Sequence, residues 1–258
     1  MSSFATRHGD LWVRTHGTGP TRIVALHGFT LHGGMFAKLA TEVGRAIAAP
    51  DLPGHGRTTV EPISTRTAVD SVSDYLASFE KPPLVLGYSQ GGRTALHIAL
   101  TNPELVGSLV LVATAPGLSE RARKMRKVAD EGLAARIERI GIARFIDEWL
   151  ANPLVTTDHL DRQERDADRS LRLENTAAGL AAALRNMGQS SVGDSRERIA
   201  ALPMPVRFVA GTRDNKYTEL AIEMASMRGE RPVLIEDAGH NVISDAPESV
   251  AAVISDLL

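Results

Sequence analysis

Leu84-Val85-Leu86-Gly87-Tyr88-Ser89-Gln90-Gly91-Gly92-Arg93 is the stretch from which the fold is read. Residues 83–87 form a short apolar run typical of a buried strand, and residues 92–100 have helical spacing that stops near Asn102-Pro103. Between them Gly87, Ser89 and Gly91 make the pattern G-x-S-x-G. A sharp strand-to-helix turn leaves no room for side chains beside the serine, so glycines flank it, and the turn lifts the Ser89 hydroxyl above the sheet edge. Serine is a weak nucleophile and a weak base until a histidine accepts its proton, and a carboxylate must hold that histidine in one tautomer.

Both partners follow, each after a further strand. Asp214 stands in Gly211-Thr212-Arg213-Asp214 after an apolar run at 205–211, and His240 stands in Asp237-Ala238-Gly239-His240-Asn241 after a run at 232–235. With residues 22–26 and 109–113, these runs alternate with helical stretches, which predicts a mostly parallel sheet covered on both faces. Catalytic groups gather at the carboxyl ends of such strands, so Ser89, Asp214 and His240 are expected to converge. An oxyanion site needs two N–H donors. Gln90 follows the serine and supplies one; Phe29, in Leu26-His27-Gly28-Phe29-Thr30, is the expected second. His27 is read as packing that loop, and Asp51 and His55 as turn residues in Asp51-Leu52-Pro53-Gly54-His55-Gly56. His8, His16, His97 and His159 fall outside any triad context, while His32 lies near the pocket loop.

From about residue 117 to 188 strand-like runs vanish and Ala, Leu, Arg and Glu recur at helical spacing. Helices are predicted at 119–140, 142–151, 157–170 and 171–187, punctuated by Gly141 and Asn152-Pro153. The expected organisation is a core of residues 1–116 and 189–258 with a helical cap at 117–188, closed by a helix over 246–258.

Composition narrows the function. The chain has 258 residues, a formal net charge of −2, 43% apolar residues and no cysteine. Disulfides, thiolate metal sites and a cysteine nucleophile are thereby excluded. The 29 basic and 31 acidic residues nearly cancel, which argues against a general nucleic-acid surface. The longest apolar runs, such as Leu109-Val110-Leu111-Val112-Ala113, are too short for a membrane span, and the first ten residues carry no apolar run. A cytoplasmic protein with no membrane partner, acting as a monomer or small homo-oligomer, is expected. Apart from the triad, no histidine and carboxylate cluster has ligand spacing, so neither metal nor cofactor is expected.

His-Gly after the first core strand, the Asp51 to Gly56 turn, the serine elbow, and the ordered Asp214 and His240 together resemble the α/β-hydrolase fold across the whole chain. The resemblance implies a mostly parallel central sheet flanked by helices, with an inserted helical cap. Within that superfamily, four patterns resemble the menaquinone-pathway synthases that form 2-succinyl-6-hydroxy-2,4-cyclohexadiene-1-carboxylate by eliminating pyruvate. They are Arg93 directly after the elbow glycines; Arg126-x-x-x-Asp130 with Trp149 shortly before Pro153; Leu171-Arg172-Leu173-Glu174-Asn175; and Gly211-Thr212-Arg213-Asp214-Asn215-Lys216-Tyr217 with Gly239-His240-Asn241. The chain departs from the family at Ile243 and Asp245 and at 190–194.

The resemblance implies a substrate with three carboxylates and no need for an acyl-enzyme. Arginine grips a carboxylate through two parallel hydrogen bonds, so Arg93, Arg126 and Arg172 are the implied substrate contacts. Tyr88, Trp149 and Tyr217 are pocket-lining candidates, each equally open to a packing role, and Lys216 either meets a carboxylate or supports the Asp214 loop. The same machinery also serves hydrolysis of a carboxylic ester or a C–C bond, which is the alternative reading. A non-catalytic binding protein on this fold is disfavoured by an intact triad.

Overall fold

A computed structural model describes residues 1–157 and 160–258. Eight strands form one sheet in the order β1-β2-β4-β3-β5-β6-β7-β8. They are β1 (Ser2–Thr6), β2 (Gly9–His16), β3 (Ile23–Leu26), β4 (Ile47–Pro50), β5 (Leu84–Tyr88), β6 (Ser108–Val112), β7 (Val206–Gly211) and β8 (Val233–Ile235). β2 runs antiparallel to β1 and to β4, and every other pairing is parallel. The register sets Leu26 beside Gly87, Gly87 beside Leu111, and Gly211 beside Ile235. The loops after β3, β5, β7 and β8 therefore leave the sheet at one edge.

Side chains alternate across the strands with period two. Val24, Leu26, Val85, Leu109, Leu111 and Phe208 face one apolar cluster, with α2 (Thr65–Leu76), α3 (Gln90–Thr101) and α9 (Asn215–Ser226). Ile23, Ala25, Leu86, Val110, Val112 and Val209 face the other, with α1 (Ala37–Val43) and α11 (Pro247–Ser255). Strands buried on both faces lack the polar alternation of a one-sided sheet, which is why they read as continuous apolar runs.

Between β6 and β7 the chain makes α4 (Glu120–Ile140), α5 (Ile142–Leu150), α6 (Arg162–Leu173), α7 (Ala177–Met187) and the short α8 (Arg196–Ile199). Their own apolar cluster contains Ile137, Phe145, Ile146, Leu180 and Leu184, and Phe29 from the sheet edge packs against it. The insertion hangs on a narrow neck, where Leu118 bridges Gly193 and the Ser195 N–H donates to the Pro116 carbonyl at 2.9 Å.

Several boundaries differ from the sequence reading. The break expected between 170 and 171 falls at 174–176, because Asn175 binds the Arg172 carbonyl and the Thr176 hydroxyl accepts the Gly179 N–H to start α7. Residues 160–161 precede α6, whose N-cap is Asp161, so the helix does not reach back to 157; Asp158 and His159 lie outside the described residues. The closing helix starts at Pro247, which fits the first helical turn and keeps Ala246 out of the helical region, and a separate short helix α10 (Val242–Asp245) precedes it. Ala113 leaves β6 because its φ is 45°. α3 starts at Gln90, two residues before the expected position, since glycines at 91 and 92 weaken the helical signal while packing demands them.

Gly91 shows that demand. A β-carbon there would lie 2.2 Å from the Leu26 carbonyl oxygen, a backbone atom that the β3–β5 pairing holds in place. Gly91→Ala is therefore expected to lose about 3 kcal/mol or more of unfolding free energy in urea titration. Parental stability in that variant would contradict the packing described.

Candidate active site

β5 ends at Tyr88 and α3 begins at Gln90, leaving Ser89 alone at φ 52° and ψ −107°. That left-sided conformation is costly for a serine and aims its side chain away from the helix. His240 Nε2 lies 3.1 Å from Ser89 Oγ, and His240 Nδ1 lies 2.7 Å from Asp214 Oδ2. Asp214 and His240 are both buried. The second carboxylate oxygen of Asp214 accepts the Tyr217 N–H at 3.2 Å, so the acid also caps α9 and its orientation is fixed twice. Nδ1 thus donates to the carboxylate and Nε2 faces the serine, the tautomer that proton removal requires.

Two N–H groups flank the serine. Gln90 is the first residue of α3, where N–H groups have no partner within the helix. Gly28 brings the other loop close: a β-carbon on it would stand 3.5 Å from Ser89 Cβ and 2.7 Å from the Tyr88 ring. The next residue is Phe29, whose N–H has no acceptor among the described residues. His27 anchors this loop, its Nδ1 at 2.9 Å from the Gly28 carbonyl and its Nε2 accepting the Leu52 N–H at 2.8 Å. Thr30, fully buried, holds φ 67°, which costs a threonine about 1–2 kcal/mol.

The arginines divide. Arg93 sits one turn after the serine, its N–H bonded to the Ser89 carbonyl at 3.2 Å, and its side chain is buried. Its Nη2 reaches the Met187 carbonyl at 3.2 Å, its Nε is buried with no partner, and among the described residues no carboxylate pairs with it. Burial pushes its pKa down, and Arg126 adds to that. Arg126 instead pairs with Asp130 at 2.6 Å, and Asp130 also takes the Ser190 hydroxyl at 2.8 Å. Arg172 is buried and forked onto Asp168 at 2.6 and 3.2 Å, with its remaining nitrogen donating to the Thr30 hydroxyl. Lys216 lies 5.3 Å over the Tyr217 ring, and partial burial, then Arg126, hold its pKa below the usual lysine range. Arg93, Arg126 and Lys216 therefore feel one another's charge beside the triad.

Aromatic rings close the site. Tyr217 stands 4.4 Å and Tyr88 5.5 Å from the His240 ring, and burial raises both phenol pKa values, keeping them neutral. Trp149 packs on Phe29 at 5.4 Å, and its indole N–H is buried without an acceptor. His32 lies apart from the triad, its Nδ1 accepting the Gly34 N–H and its Nε2 3.3 Å from Glu174. A cavity of about 140 Å³ reaches Asp214 and His240 between Pro153–Leu154 of the insertion and Arg213 and Asn241 of the sheet edge. Among the described residues no three His, Cys, Asp or Glu side chains are grouped to hold a metal ion. Sequence reasoning missed Gln189, whose amide donates to the Tyr217 hydroxyl at 2.9 Å, and the roles of Thr30 and Asn175.

Residues 23–253 match the family model described as alpha/beta hydrolase family. The chain belongs to that family. Its sheet, elbow and inserted helices are those of an alpha/beta hydrolase. Among curated relatives, the 2-succinyl-6-hydroxy-2,4-cyclohexadiene-1-carboxylate synthase of Salmonella agona (strain SL483) is 31% identical over 245 residues, 93% of this chain and 94% of its own. The structure of MenH from S. aureus superposes with a TM-score of 0.87 at 24% identity, covering 95% of this chain and 97% of its own. A thermophilic esterase from Thermogutta terrifontis shares the fold as well, with a TM-score of 0.81 at 23% identity over 99% of this chain and 96% of its own.

The histidines beneath the site make this hydrolase-fold protein acid-sensitive. Burial drives His27 and His55 from the ordinary 6.5 down to about 3. Both stay neutral in the folded protein while the unfolded chain protonates below pH 6.5, so their contribution is complete above 6.5 and lost as the pH falls toward 3. Between pH 7.5 and 5.5 the pair should remove about 2–3 kcal/mol of unfolding free energy in urea titrations. A pH-independent midpoint over that interval would contradict their neutral burial.

Proposed function

We infer that this chain is a 2-succinyl-6-hydroxy-2,4-cyclohexadiene-1-carboxylate synthase, a lyase of menaquinone biosynthesis that eliminates pyruvate from 2-succinyl-5-enolpyruvyl-6-hydroxy-3-cyclohexene-1-carboxylate. The observation that carries this reading is Arg93, a buried guanidinium one turn from Ser89 with an unpartnered Nε and, among the described residues, no carboxylate paired with it. A buried charge without a counterion is costly, and a substrate carboxylate removes that cost. The relatedness to the Salmonella agona synthase over nearly the full length supports the same reading. A neutral ester has no use for such a group.

In this reading Ser89 gives its proton to His240, and the alkoxide removes the acidic ring proton beside the succinyl carbonyl. The electron pair passes into that carbonyl, whose oxygen takes hydrogen bonds from the Phe29 and Gln90 N–H groups. As the carbonyl re-forms, the electrons shift through the ring and expel enolpyruvate. Proton return from the triad yields pyruvate and the cyclohexadiene. Asp214 holds the imidazolium that forms in between. Arg93 takes one substrate carboxylate, with Arg126 and Lys216 adding positive potential beside it. Arg172 acts from within its Asp168 pair, and Tyr88, Trp149 and Tyr217 wall the pocket.

The division into a core of residues 1–116 and 189–258 and a cap of 117–188 belongs to this reading, supported by the separate apolar cluster of the inserted helices. So does a cytoplasmic protein acting on a small tricarboxylate, with no nucleic-acid or membrane partner. Among the described residues no helix is long and apolar enough to cross a membrane.

Pyruvate release from freshly generated substrate, followed beside a spontaneous-decay control, tests the assignment. Wild type should far outrun the control and Ser89→Ala should fall to it. Arg93→Ala should lose at least about 2 kcal/mol of transition-state binding, about 30-fold in kcat/KM. Wild-type release at the control rate, with turnover of simple esters indifferent to Arg93→Ala, would assign the chain to the hydrolases instead.

A further inference from the structure

Asn175, in the gap between α6 and α7, is buried at 4% relative exposure and bonds three separate segments. Its side-chain carbonyl accepts the Gly56 N–H at 2.8 Å, while its amide donates to the Thr30 carbonyl at 2.8 Å and the Arg172 carbonyl at 3.1 Å. Two partners are carbonyl oxygens and the third is an N–H, so one orientation of the amide satisfies all three. Thr30 has further support from the Arg172 guanidinium on its hydroxyl. A non-glycine residue at φ 67° persists only where its surroundings over-determine it, and here the inserted segment adds two side-chain restraints to the loop's own Leu31 N–H bond to the Gly28 carbonyl. The Thr30–Leu31 peptide, whose carbonyl Asn175 binds, donates its Leu31 N–H to the Gly28 carbonyl at 3.2 Å, and that carbonyl shares its peptide with the Phe29 N–H.

We propose that Asn175 is a positioning residue of the reaction: its amide, reaching down from the cap, holds Thr30 in the conformation that aims the Phe29 N–H at the oxyanion site beside Ser89. The proposal rests on Phe29 being an oxyanion donor, as in the function inferred above. It makes the donor geometry depend on a seated cap, because Asn175 and Arg172 both belong to the inserted segment. Alignment of the donor then coincides with exclusion of water from the site.

Asn175→Ala removes the clip, and Asn175→Asp keeps the volume and the Gly56 acceptor while losing the donor to Thr30. Each variant is compared with wild type by kcat and KM for pyruvate release and by the second-order rate of Ser89 phosphonylation with a fluorophosphonate. Rates are scaled to the folded fraction from circular dichroism. A tetrahedral phosphonyl oxygen needs the same N–H donors, so phosphonylation reads the oxyanion site whatever the natural substrate is. Both variants should lose about 10- to 100-fold in kcat with KM within about threefold, and phosphonylation should slow by a similar factor. Unchanged kcat and phosphonylation per folded molecule, with only the melting temperature lowered, would overturn the proposal and leave Asn175 a structural residue. A wild type that is phosphonylated yet releases no pyruvate overturns the lyase reading, and the phosphonylation comparison then decides the role of Asn175 alone.

Discussion

The first turn of α3 lies directly on the end of β3, and the close approach of Gly91 to the Leu26 carbonyl sets the geometry of everything at that edge of the sheet. A larger residue would push the helix away, and Ser89 would lose both its strained conformation and its position under His240. The same contact brings the loop after β3 alongside the serine, so the two N–H groups offered for an oxyanion come from segments that the sheet register already juxtaposes. Strain at Ser89 and at Thr30 is sustained by packing that spans the sheet, the elbow and the inserted helices. Rigidity at the reacting atoms is thus a property of the whole edge, which suits a site where preorganised dipoles do most of the work.

Charge tells the rest. Most arginines of the inserted helices satisfy a nearby carboxylate: Arg126 has Asp130, Arg136 has Glu148, Arg172 has Asp168 and Arg185 has Glu131 and Glu138. Arg93, on α3 rather than on the inserted helices, has no paired carboxylate among the described residues although it is buried. Arg136–Glu148 ties α4 to α5 and Arg185 ties α7 to α4 through Glu131 and Glu138, and partly exposed pairs of this kind contribute little individually. A buried guanidinium lacking its counterion is a different object, because desolvation is costly for a charge left unpaired. In the function proposed above, that asymmetry is what would separate a pocket for a polyanionic substrate from a general ester pocket, since the scaffold alone does not distinguish them.

Much of this was legible in the sequence. The elbow, the acid and the histidine could be read because each follows a strand whose apolar run is unmistakable, and the structure brings all three within hydrogen-bond reach. Arg93 stood out only by its resemblance to the arginine that follows the elbow glycines in the synthases, and the sequence carried no sign that its side chain would be buried. β4 could not be read, since Ile47-Ala48-Ala49-Pro50 has almost no β-branched signal and becomes a strand only by burial between β2 and β3. The α6–α7 break was hidden because no glycine or proline marks it, and the device that makes it is the side-chain chemistry of Asn175 and Thr176. The ion pairs of Arg126 and Arg172 stand at four-residue spacing in the chain, but spacing alone does not say whether an arginine keeps its carboxylate or offers itself to a ligand.

In the proposed function, the triad of Ser89, His240 and Asp214 performs an elimination in which no water is consumed. The mass of the ring product formed by wild-type enzyme from 2-succinyl-5-enolpyruvyl-6-hydroxy-3-cyclohexene-1-carboxylate tests it most directly. Elimination predicts a product lighter than the substrate by one molecule of pyruvic acid, with the absorbance of a conjugated diene. A product that has lost pyruvic acid and gained the elements of water would show hydrolysis and contradict the account.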